Sequence, residues 1–116
     1  MSGNEKAVNK LAQRVLDGYE AVHQKEYSRA RQLLEPMVPM LHTENKPNAK
    51  LLCYTAIAQI GDKDAEAFLS TMEHLKPLTP KDNQEKKLIE RVDEMFQELM
   101  ETLEDDGNEK QNNPLH

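Results

Sequence analysis

The chain has 116 residues, a net charge of −6, only 4% aromatic residues and no Trp. That length predicts one domain with a modest core built from Leu, Ile, Val, Ala and Met, a composition that suits packed helices better than a sheet. Residues 1–61 carry 8 basic and 6 acidic side chains and residues 62–116 carry 7 and 15, so there is no basic stripe of the kind that neutralises phosphates. Nucleic acid is disfavoured as a partner, and the acidic half would better suit a basic protein or peptide.

The single cysteine, Cys53, lies in an apolar run and is expected to be a buried, inert thiol. The opening MSGNEKAV has no apolar targeting core, and no run approaches the roughly 18 apolar residues of a membrane span. A soluble cytoplasmic protein without membrane contact is the expectation.

Val8, Leu11, Ala12, Val15, Leu16, Tyr19 and Val22 recur at steps of three and four, which predicts a first helix over about residues 5–24. Gly18 lies inside it and implies close approach of a second helix, with Ala30 as the matching small residue. The second helix is expected to begin near Glu26 and to kink or stop between Leu34 and Met40, where Pro36 and Pro39 remove backbone donors. Pro47 reads as the first turn of a third helix that runs to about Ile60, is apolar on most sides and should be the most buried. Gly61 is expected to end it and Asp62 to cap a fourth helix whose inward face holds Ala65, Phe68, Leu69, Met72 and Leu75. Pro77 stops that helix. Thr79, Pro80 and Asp82 then signal the start of a fifth, with a stripe from Leu88 to Leu103 and a solvated charged face that pairs Lys86 with Glu90 or Arg91 with Glu94. The domain is drawn at 1–104, followed by a polar disordered tail over 105–116.

Two successive helical hairpins raise the question of repetition. Gly18, Ala21, Glu26, Tyr27, Ala30 and Leu34 together resemble a tetratricopeptide repeat (TPR), and a second unit from about Pro47 to Leu78 offers Ala56, Gly61, Asp62, Ala65 or Ala67, and Met72. The family's first-helix Trp is absent, and the two prolines depart from a regular second helix. The resemblance implies an all-α, TPR-like superhelix of two hairpins, with the long last helix as a solvating cap. It also implies a concave groove lined by the first helix of each pair: Val15, Tyr19, Val22 and His23, then Lys50, Tyr54 and Ile57. The family's clamp for a peptide carboxylate uses Lys and Asn where this chain has Val15 and Tyr19, so binding of that type is not expected.

No metalloprotease, phosphate-loop, paired-cysteine or nucleophile-elbow motif is present. His23, His42 and His74 are too scattered in sequence to read as ligands, and no metal, cofactor or enzymatic activity is expected. The functional expectation is a small cytoplasmic adaptor or chaperone-like module that binds a protein or peptide segment, similar to the small export chaperones of bacterial secretion systems. The alternatives are a regulatory subunit of a larger complex and a homodimer assembled through Met95, Phe96, Met100 and Leu103.

Overall fold

The computed structural model describes the backbone of residues 2–112 and the side chains of residues 6–104. Helix α1 spans Ser2–His23 and α2 spans Tyr27–Leu34; a 3₁₀ turn, Glu35–Met37, leads into the short α3, Val38–Leu41. Helices α4, α5 and α6 follow at Ala49–Gly61, Ala65–Leu75 and Asn83–Asn112, and the described residues contain no strand.

The prolines act where their chemistry requires. Pro36 sits at the start of the 3₁₀ turn and Pro39 at the start of α3, so the helix that begins at Tyr27 is interrupted after Leu34. Pro47, by contrast, lies ahead of the third helix and not in its first turn. Asn48 is the cap, its side-chain oxygen accepting the Leu51 N–H at 3.1 Å. At the start of α6 the cap is Asp82, which accepts the Glu85 N–H at 2.8 Å while Glu85 reaches back to the Lys81 N–H; Thr79 and Pro80 stand outside the helix. Neither expected pair on α6 forms, and the ion pair at this end is Lys81 with Glu85. The α6 backbone is helical past the boundary drawn at 104, whereas the side chains of 105–112 and all of 113–116 lie outside the described residues.

Both hairpins close with the same turn. After α1, Lys25 and Glu26 donate to the carbonyls of Val22 and Ala21; after α4, Lys63 and Asp64 donate to those of Ile60 and Gln59. This is the Schellman arrangement, and it requires a left-handed residue. Lys25 (φ 63°) and Lys63 (φ 65°) fill that position, so the αL residue after α4 is a lysine and not Gly61. Nor does Asp62 cap α5: Asp64 does, accepting the Ala67 N–H.

Gly18 and Gly61 serve close approach. A Cβ at Gly18 would collide with the Leu34 side chain, whose atoms stand nearest it, while a Cβ at Gly61 would fall 2.5 Å from Cγ of the Tyr27 ring. Around these contacts the core gathers Ala21, Ala30, Leu34, Phe68, Met72 and Val92, and α4 is buried on every side from Leu51 to Gln59. At 1.5 Å per residue α1 is roughly 33 Å long and α6 about 45 Å, against about 20 Å for α4. Both therefore run past the packed centre, consistent with extents of 70 × 28 × 21 Å.

Replacing either glycine by alanine gains helix propensity of about 1 kcal/mol but forces a side chain into a filled site at a typical cost of 1–3 kcal/mol. Gly18→Ala and Gly61→Ala should each lower stability by about 1 kcal/mol net, whereas Lys63→Gly should raise it by up to about 1 kcal/mol by relieving the left-handed lysine. Urea unfolding followed by circular dichroism checks both signs.

Candidate interaction groove

The face that α1 turns to α4 brings together the residues expected to line a groove. Tyr19 stacks on Tyr54 with ring centroids 4.2 Å apart and planes 25° from parallel. His23 Nε2 lies 3.1 Å from the Tyr54 hydroxyl, its ring set edge-on to the same tyrosine. Lys50 places its ammonium 5.3 Å from the Tyr19 ring centre, within cation–π range. Val15 is half-buried against the core beside Tyr19, and Val22 and Ile57 are buried.

Beside this stack opens a cavity of about 390 Å³. Val22, His23, Tyr54 and Ile57 line it, as do Lys25, Tyr27, Leu88 and Arg91. Val15, Tyr19 and Lys50 do not reach it; they form the shelf behind Tyr54. Lys25 was hidden from sequence reasoning because it is a turn residue, and Arg91 because it is distant along the chain and sits on a face expected to pair internally. Its walls contain no carboxylate, and neither Lys25 nor Arg91 makes an ion pair among the described residues. A second hollow of about 320 Å³ adjoins it through Tyr27 and Ile57 and is walled on the far side by Met95, Glu98 and Leu99 of α6.

The suggested pairing surface on α6 is divided. Met95 and Phe96 are half-buried against the core, Met100 is half-buried, and Leu103 is 50% exposed.

The titratable groups behind the groove are held neutral. Burial, with smaller contributions from Tyr54 and Cys53, pushes the Tyr19 phenol up to about 12, and burial also raises Tyr54. Cys53 is fully buried, and burial, then Glu85 and Asp93, push its thiol up to about 12. A thiol in that state is not a nucleophile at neutral pH. The described residues hold no group of three or more His, Cys, Asp or Glu side chains able to bind a metal ion. Two of the scattered histidines do meet: His42 and His74 lie 6.3 Å apart edge-on, and His42 Nδ1 accepts the Asn48 N–H.

A polar network that the sequence did not announce fixes the second hairpin beneath the first. Arg31 on α2 donates to Asp62 and Asp64 in the α4–α5 turn, each at 3.0 Å, and to Glu35 at 3.1 Å. Glu35 also accepts from Gln59, whose carbonyl takes the Thr71 hydroxyl at 2.6 Å. The Ala67 N–H holds the Asp64 carboxyl below its ordinary value; desolvation opposes it, and the hydrogen bond and charge of Arg31 add smaller lowering contributions.

Compared with family models, curated proteins and solved structures, the chain matches none of them.

Three outcomes follow from these ionisations. Because the folded pKa of Asp64 is depressed, its contribution to stability is present above about 3.8 and is lost as pH falls through the lower folded value. Arg31→Met should cost about 1–2 kcal/mol at neutral pH, discounted for the partly exposed carboxylates, and should make the acid limb of a urea-midpoint series shallower without removing it, because the Ala67 N–H still lowers Asp64. Tyr19 has the opposite sign: its contribution is complete below the ordinary phenol value of 10 and is lost as pH rises through about 12. An absorbance titration should show one phenol ionising about two units late, and Cys53 should resist a thiol reagent at neutral pH until the chain unfolds.

Proposed function

We propose that the chain is a protein–protein interaction module, a small cytoplasmic adaptor or chaperone-like protein of TPR-like architecture that receives a protein segment in the groove between α1, α4 and α6. The observation that carries this reading is the cavity beside the Tyr19–Tyr54 stack. Its floor is apolar, with Val22, Ile57 and Leu88, its rim is cationic, with Lys25 and Arg91, and His23 and Tyr54 supply polar tips between them. Apolar floors with a few polar groups are what segment recognition uses. The repeat reading is supported by the two identical helix-terminating turns, by Gly18 and Gly61 as points of close approach, and by the lateral contact of α1 with α4 through the tyrosine stack.

Catalysis is not part of this reading. The Cys53 thiol is sealed in the core, and the tyrosine hydroxyls beside the groove are raised away from ionisation.

Pull-down with the full chain as bait, followed by mass spectrometry and calorimetry on the captured protein, tests the proposal. Arg91→Ala changes an exposed side chain and should leave stability unaltered, His23→Ala should cost about 1 kcal/mol because it removes the partner of the Tyr54 hydroxyl, and each should weaken the captured partner about tenfold, or about 1.4 kcal/mol. If no protein is captured, or if both substitutions bind as the parent does, the groove is not the site.

A further inference from the structure

We propose that the groove takes the stretch of α6 from Glu98 to Glu104 of a second copy of this chain, so that the protein docks onto itself through complementary charge. The inference rests on the reading of the groove as a receptor for a protein segment, and it names the segment.

The receptor side is cationic and unpaired. Lys25, Arg91 and His23 line the cavity, and no carboxylate among the described residues lines its walls. The ligand side has the opposite character. From Val92 to Glu104 every charged residue of α6 is acidic: Asp93, Glu94, Glu98, Glu101 and Glu104, all exposed. The same stretch leaves Leu103 half exposed and Met100 only half-buried, which supplies apolar side chains for the floor. A helix laid into a groove through spaced apolar anchors is a recurrent mode of recognition, and charge of opposite sign sets its partner and register.

The segment cannot come from the same molecule. Arg91 and Glu101 belong to one continuous helix, which separates them by about 15 Å along its axis, so Glu101 and Glu104 stand off the groove while Glu98 lines only the adjoining hollow. Only a second chain can present those acids to Lys25 and Arg91. The two surfaces differ, so a single contact leaves one groove and one helix unused. A two-fold arrangement, with each helix in the other's groove, uses all four and closes the assembly. Because the charges are exposed, the contact should weaken as salt shortens the screening length from about 10 Å at 0.1 M to about 3 Å at 1 M.

Sedimentation velocity on the full chain, run across a concentration series in low salt and in about 1 M salt, reads the outcome. The parent should form a dimer in low salt and dissociate at least tenfold more readily in high salt. K25E/R91E and E98K/E101K/E104K should each be monomeric, with unchanged circular dichroism because all five positions are exposed. Mixed in equal amounts they should restore the dimer, since the swapped charges match again at both contacts. A parent that stays monomeric throughout, or a dimer that survives K25E/R91E, overturns self-docking. The groove reading is judged separately: a monomeric parent whose captured partner is lost with K25E/R91E leaves that reading standing, and one whose partner ignores the change ends it as well.

Discussion

The hold of Arg31 on the turn after α4 is the constraint on which the rest of the structure depends. Its guanidinium is mostly enclosed, with 20% of the side chain exposed, and it meets three carboxylates with its planar donors. A fan of this kind uses the fixed fork of arginine, which a lysine could not reproduce. Two of its partners flank the left-handed Lys63, so the same side chain that joins α2 to the second hairpin also keeps the strained turn closed. The chain of hydrogen bonds continues through Glu35 and Gln59 to Thr71, which couples α2, α4 and α5 in one polar seam beside the core. With that seam in place, Tyr27 can lie against Gly61, and the position of Tyr27 in turn forms the wall shared by the two hollows.

Much of the helix plan was legible because it depends on local chemistry. The periodicity of α1, the interruption at Pro36 and Pro39 and the burial of α4 all follow from spacing and from proline's missing donor. Gly18 was legible as a point of approach, but its neighbour was not. Ala30 has the right size and is buried, yet the atoms nearest Gly18 belong to Leu34, one turn further on. The start of α6 misled for a related reason: Thr79-Pro80 and Asp82 both have cap chemistry, and only the reciprocal partner Glu85 decides between them.

The site divides along the same line. Tyr19, His23, Lys50 and Tyr54 were reachable from the pattern of the helices that carry them, and they do meet. Lys25 and Arg91 were not, because one owes its place to a left-handed turn and the other to the packing of a helix far along the chain. The Arg31 fan was invisible for the same reason. Its acceptors Asp62 and Asp64 read as ordinary turn and cap residues until the tertiary arrangement brings α2 across them.

These placements turn an imbalance along the sequence into one in space. A nearly neutral first half and an acidic second half could have neutralised each other across the fold, and at Arg31 they do. At the groove they do not: Arg91 is carried by the acidic helix itself, but on the side that joins Lys25, while the helix continues to the exposed acids Glu101 and Glu104. Long-range attraction between such separated surfaces acts on encounter more than on folding, because each charged group remains solvated in the free chain. The tyrosine stack then has a mechanical part in recognition. Tyr54 is held by Tyr19 on one face and by His23 at its hydroxyl, so the cavity wall is already ordered before a segment arrives, and less side-chain freedom remains to be lost on binding.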